Sequence, residues 1–158
     1  RRCLQHRVLA FVALRGKQMT TAAGVLFLAK DTGRCLFQLR KAEKRFKNTW
    51  GFWGGTMHKA ETPYACIQRE LKEEIGFVPE LQKLNPIDVF QSKDKKFFYY
   101  SFIYVVDKEF SPILNNESAG YCWVDIDWWP SPLHTGAKVT LVNNKGAEKI
   151  HTILEVNS

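Results

Sequence analysis

One 23-residue segment constrains this chain more than any other: Gly55–Phe77, GTMHKAETPYACIQRELKEEIGF. Its second half specifies a helix over Pro63–Ile75. Thr62 suits the N-cap, Pro63 the first helical position and Gly76 the left-handed stop. On a wheel of about 100° per residue with Tyr64 as origin, Ile67, Leu71 and Ile75 complete an apolar stripe between about −60° and +20°. On the same wheel Glu74 falls at about −80°, Glu70 at about −120° and Glu73 at about 180°. Any fold that buries this stripe therefore draws carboxylates towards its edge.

Carboxylates held close together repel one another unless a proton or a cation intervenes. Magnesium suits such a cluster, because it is a hard ion that takes a few carboxylates together with water and substrate phosphates. Alone, Glu70, Glu73 and Glu74 would read as a solvated acidic face. The flanking residues reverse that reading. Gly54-Gly55 permits an unusual backbone just before the helix, where a carbonyl can face a metal. Glu61 lies within reach of Arg69. Gly55, Glu61, Arg69, Glu70, Leu71, Glu73, Glu74, Gly76 and Phe77 together fit G-x5-E-x7-R-E-U-x-E-E-x-G-U, where U is bulky and apolar. Chance would produce such a match on the order of once in 10^9 to 10^10 starting positions.

The segment resembles the signature of the Nudix hydrolase superfamily, whose members use magnesium to cut nucleoside diphosphates linked to another group, X. The resemblance implies an α/β fold, an α/β/α sandwich around a mixed β-sheet. It implies metal binding by Gly55, Glu70, Glu73 and Glu74, with Mg2+ as the ion and Mn2+ as a substitute. It also implies that Glu61 and Arg69 brace the loop against the helix as an ion pair. The catalytic carboxylates would be Glu70, Glu73, Glu74 and Glu117, and the base is either a box glutamate or a later acid. Glu117 is the later candidate because it precedes Trp123 by six residues, a spacing many Nudix enzymes share. His134 stands where relatives often carry a histidine, yet it reads first as a surface-turn residue. His58 replaces a common glutamate and reads as solvent-facing. Ala60 replaces a frequent glycine and Trp53 a frequent proline.

A chain of 158 residues suggests one domain with a real core. The four cysteines are widely spaced with no C-x-x-C pair, which argues against a zinc site or a disulfide framework and fits a reducing, cytoplasmic location. No apolar run approaches membrane-spanning length. The net charge of +7 is unevenly spread: residues 1–18 hold five basic groups and no acid, leaving 18 basic and 16 acidic groups in the other 140. The body is thus almost neutral, which argues against a nucleic-acid partner. Residues 1–18 read as a basic extension, either an added edge strand, foreign sequence or a leader. Residues 19–158 read as a single Nudix domain.

Strands are expected at Ala23–Ala29, Cys35–Arg40, Trp50–Trp53, Ile87–Gln91, Phe97–Val106 and Tyr121–Asp125, and a second helix at Asn144–Val156, with Ile150, Ile153 and Leu154 inward. Lys41–Thr49 reads as a basic loop, and Trp128 and Trp129 as covering the core edge. Trp50, Arg40 and Tyr99 are candidate contacts for a small-molecule nucleotide, since aromatic residues make up 13% of the chain and stack well on bases or flavins. Markers of particular subfamilies are mostly missing. General likeness over residues 20–77 to compact phage and bacterial members leans towards ADP-ribose, FAD or dinucleoside polyphosphates. Nucleoside triphosphates, or nucleotide sensing without cleavage, stay open, as does homodimerisation.

Overall fold

The computed structural model describes residues 19–41, 46–143 and 145–158. The expected basic extension, residues 1–18, and residues 42–45 of the basic loop at 41–49 lie outside the described residues.

The centre of the fold is β1 (Thr20–Ala29), ten residues with an almost continuous apolar run. Such a run suits a strand covered on both faces. Residues Ala23, Val25 and Phe27 enter one core, and Leu26 and Leu28 enter another on the opposite face. β1 pairs in parallel with β6 (Phe97–Val106) along its whole length, from Thr20 opposite Phe97 to Ala29 opposite Val106. Its other edge has two antiparallel partners in succession. Phe27 and Leu28 face Leu36 and Cys35 of β2 (Arg34–Arg40). Ala22 to Val25 face Thr56 to Trp53 of β4 (Trp53–Thr56). β1 and β2 therefore splay apart, and β4 fills the gap between them.

Around this centre the sheet is mixed and seven-stranded. β2 also pairs with β3 (Trp50–Gly51) and, on its other edge, with β7 (Ser118–Asp125). β5 (Leu84–Gln91) borders β6, and its ladder is broken between Pro86 and Asp88. A proline is tolerated there because this strand has only one partner. The single strand expected at Trp50–Trp53 is in fact two, because the chain leaves β2 for β1 at Phe52.

Helix α1 (Pro63–Ile75) covers one face. Thr62 Oγ1 accepts from the Ala65 N–H at 3.1 Å, and Gly76 takes φ 69° to end the helix. Ile67, Leu71 and Ile75 are buried against β1 and β6, whereas Tyr64 sits at the margin with its ring 5.0 Å from that of Phe102. The other face is closed by the short helix α2 (Thr135–Lys138), a wide turn over Val139–Asn143, and α3 (Gly146–Asn157), whose Ile150 is fully buried. Trp129 packs against this second core, but Trp128 is 81% exposed and covers nothing. No helix among the described residues is long and apolar enough to cross a membrane.

In the loop before α1, Ala60 holds φ at 62°. A side chain pays for that conformation with a clash between Cβ and its own backbone, which explains why glycine is frequent at this place. Replacing Ala60 by glycine is expected to raise the unfolding free energy by about 1 kcal/mol. Urea titration of the two proteins measures it; equal midpoints would show that the loop carries no such strain.

Candidate active site

Two elements bring acidic side chains together beside Gly54-Gly55 of β4. α1 contributes Glu70 and Glu74, and the segment leading into β7 contributes Glu117. One carboxylate oxygen from each of the three lies within 4.8 Å of the other two. These residues line a cavity of about 310 Å3 together with Gln38, Arg40, Gly54, Gly55, Thr56 and His58.

Glu74 is the innermost, 1% exposed. Its carboxylate accepts from Gln38 Nε2 at 3.1 Å and from the Gly54 N–H at 3.2 Å. Burial raises its pKa well above the usual 4.5, and the neighbouring Glu70 and Glu117 push it the same way, while the Gly54 N–H opposes them. Glu70 packs against the backbone of Gly55, where a Cβ would come 2.7 Å from Glu70 Oε1. Only glycine permits that approach. The Gly55 carbonyl accepts from the Cys66 thiol at 3.4 Å.

Arg69 binds both oxygens of Glu61, at 2.9 Å each, and reaches Glu70 Oε1 at 2.7 Å and the Thr56 carbonyl at 3.1 Å. Its guanidinium holds the Glu61 carboxyl down at about 2. Loop and helix are thereby clamped together, while Glu70 is partly neutralised.

Glu73 stands apart from the cluster. Its side chain is 60% exposed and lies 4.0 Å from Arg69 Nη1. The wheel explains this, since Glu73 points away from the buried stripe. Trp50 also stands apart from the cavities: it is half-buried against the second core. Arg40 and Tyr99 do line a second cavity, of about 520 Å3, with Phe46, Phe52, Phe97 and His134. The two cavities share Arg40, Gly54, Gly55 and Thr56. His58 is exposed at the rim of the acidic one. His134 is no surface-turn residue: it is half-buried and caps α2.

Two positioning residues escaped the sequence reading. Gln38 donates to Glu74 and, at 2.6 Å, to Ser118 Oγ, tying α1 to β7 across β2. A buried glutamine in the apolar run Cys35–Leu39 was the available signal. Asn115 docks the segment carrying Glu117. Its N–H and its Nδ2 donate to the carbonyls of Glu74 and Glu73 at 3.1 and 3.0 Å, and its Oδ1 accepts from the Glu117 N–H at 2.9 Å. No short-range pattern announces that contact.

Residues 19–142 match the family model described as the NUDIX domain. The chain belongs to the Nudix hydrolase family. Among curated proteins, it is 40% identical over 55 residues to the RNA pyrophosphohydrolase of Acinetobacter baylyi, covering 35% of this chain and 31% of that protein. Among solved structures, it resembles the Nudix hydrolase RenU of M. smegmatis, with a TM-score of 0.64 at 21% identity over 86% of this chain and 87% of that one. It also resembles a MutT NUDIX hydrolase of Burkholderia pseudomallei, with a TM-score of 0.63 at 22% identity over 78% and 96%. The mixed sheet between helices is thus the Nudix fold, and Gly55, Thr56, His58, Glu70 and Glu74 of the acidic cavity lie in the segment that carries the Nudix signature.

The raised pKa of Glu74 makes stability depend on pH. A carboxyl raised by folding stabilises the protein below its unfolded pKa, near 4.5, and that contribution is lost as pH climbs through the folded value. In chelator-treated protein the melting temperature is expected to fall over that interval, and Glu74→Gln is expected to flatten the fall. Calorimetry across pH checks this; an unchanged slope in the variant would assign the dependence elsewhere. Asn115→Ala is expected to cost about 1–2 kcal/mol of stability and to weaken Mg2+ binding measured by calorimetric titration. Wild-type metal affinity would show that Asn115 does not position Glu117.

Proposed function

We propose that this Nudix protein hydrolyses a phosphoanhydride bond in a nucleoside diphosphate linked to X, with Mg2+ bound by Glu70, Glu74 and Glu117. The convergence of these three carboxylates, one of them buried, carries the reading. Acids so close need a cation or protons, and their oxygen-only chemistry fits a hard divalent ion. Mn2+ would fit the same oxygens. The Gly55 carbonyl is a further candidate ligand from the adjoining backbone. Glu73, exposed beyond the cluster, would act through water.

Bound magnesium would neutralise charge on the diphosphate and lower the pKa of a water. The chain supplies the rest. Gln38 and the Gly54 N–H hold Glu74 in one orientation, and Arg69 holds Glu70. Glu117, brought in by Asn115 from outside the helix, is the general base of this proposal. Such a base contributes about 10^2- to 10^4-fold to the rate. Arg40, which lines both cavities, would engage the diphosphate, while an aromatic ring of the substrate, its nucleobase or a ring of X, enters the aromatic cavity beside Tyr99. Gly54-Gly55, shared by the two cavities, puts no side chain between them.

The size and aromatic walls of the second cavity favour ADP-ribose, FAD or a dinucleoside polyphosphate over a simple triphosphate. A second reading, the 5′ end of an RNA, comes from the Acinetobacter relative, which is named an RNA pyrophosphohydrolase. The nearly neutral charge of residues 19–158 disfavours it.

The test is a panel of ADP-ribose, FAD, dinucleoside polyphosphates, nucleoside triphosphates and 5′-triphosphorylated RNA with Mg2+, products identified by mass. Turnover is expected on at least one dinucleotide-like compound, reduced about 10^2-fold or more in Glu70→Gln, Glu74→Gln and Glu117→Gln. Nucleotide binding without turnover would instead identify a sensor. Full activity in Glu117→Gln would remove it from the mechanism.

A further inference from the structure

The aromatic cavity contains one polar side chain whose hydrogen-bonding character is set by the fold. His134 Nδ1 accepts from the Gly136 N–H at 3.2 Å, capping α2. Its backbone is tied down as well: its N–H donates to the Trp50 carbonyl at 2.7 Å, and its carbonyl accepts from the Lys138 N–H at 2.9 Å. Gly51 backs the residue closely, since a Cβ there would lie 3.2 Å from His134 Cβ and 3.7 Å from Cγ. The ring of Phe46 stands edge-on to the imidazole at 5.2 Å and 89°. Rotating the imidazole by half a turn would break the cap.

Burial first, and then the charge of Arg40, push the imidazole pKa down to about 4, so the ring is neutral at pH 7. A neutral imidazole that accepts at Nδ1 carries its proton on Nε2. Among the described residues, Nε2 has no hydrogen-bond partner, and no fully buried side-chain nitrogen or oxygen lacks one. Nε2–H is therefore accessible, on a residue that lines the cavity. Among the described residues, the rest of the lining includes Arg40, Lys96 and threonine hydroxyls but no carboxylate. Its aromatic part includes Phe97 and Tyr99, whose rings are stacked at 6.1 Å and 25°.

We propose that His134 Nε2–H is a specificity-determining donor, which binds a ring carbonyl or ring nitrogen on an aromatic ring of the substrate, the nucleobase or a ring of X, seated beside Phe46, Phe97 and Tyr99. This rests on the hydrolase reading above. It makes His134 a residue that binds substrate away from the bond being cut, neither a metal ligand nor a base. A purine or flavin edge offers the required acceptor, whereas a bare sugar phosphate offers no ring.

Two variants separate this role from the structural one. Asparagine is a good helix cap, so His134→Asn keeps an acceptor for Gly136 but is too short to replace Nε2–H. His134→Gln carries an amide N–H near the position of Nε2 while surrendering the cap. On the panel compound that the wild type cuts fastest, His134→Asn is expected to keep the wild-type melting temperature and kcat but to raise KM about fivefold to tenfold. His134→Gln is expected to recover most of that KM at a lower melting temperature. AMP, FMN and ribose 5-phosphate serve as competitors. The ring-bearing competitors are expected to weaken by the same factor in His134→Asn, and ribose 5-phosphate to be unaffected.

A wild-type KM in His134→Asn would overturn the proposal, and so would an equal weakening of ribose 5-phosphate. If the wild type cuts nothing on the panel, the hydrolase reading fails and this one fails with it. If it does cut and His134→Asn matches it, only the role of His134 is lost.

Discussion

The burial of Glu74 is the constraint on which the rest of the structure depends. Its carboxyl lies one step beyond Ile67 on the helix wheel, so packing the apolar stripe of α1 carries it into the interior. A lone buried carboxylate is costly, and the fold answers with a donor from β2, Gln38, and another from β4, the Gly54 N–H. Burial itself, and then the nearby Glu70 and Glu117, oppose that compensation and keep the pKa of Glu74 high. Three separate elements are thereby registered on one side chain. The repulsion left over is what a divalent ion, bound as proposed, would remove.

The divided edge of β1 matters next. Because β2 pairs with only its far end, β4 can lie along its near end and carry Gly54-Gly55 between the two cavities. Gly54 adopts φ 143° and Gly55 lies against Glu70, so neither position admits a side chain without disturbance. One edge thus serves both the acidic cavity on the α1 face and the aromatic cavity on the α2 face. Arg40, at the end of β2, belongs to both.

Local physics made most elements legible. α1 has its expected bounds, because Thr62, Pro63 and Gly76 are caps whose effect needs no tertiary partner. β6 likewise has its expected bounds, whereas β7 begins three residues earlier than its apolar content suggested. The split between β3 and β4 was hidden, since Trp50-Gly51-Phe52-Trp53 has one local character but two pairing partners. The short helix α2 was hidden too, having too few residues to show a helical period. At the site, Glu70, Glu74, Glu61 and Arg69 were legible because their spacing is local. Glu73 shares that spacing, yet its direction takes it away from the cluster.

The amino-acid sequence by itself determined a capped amphipathic helix with acids beside its apolar stripe, the strands that bury that stripe, and through its motif the family. It could do so because each of these depends on residues within a few turns of one another. Only the tertiary structure decided which acids meet, what holds them, and what adjoins them. Glu117 reaches Glu74 through Asn115, Gln38 joins α1 to β7, and His134 is turned from a loop residue into a half-buried cap beside the aromatic cavity. Those are contacts between segments dozens of residues apart, and their geometry follows from strand pairing and core packing, for which no short spacing along the chain is a guide.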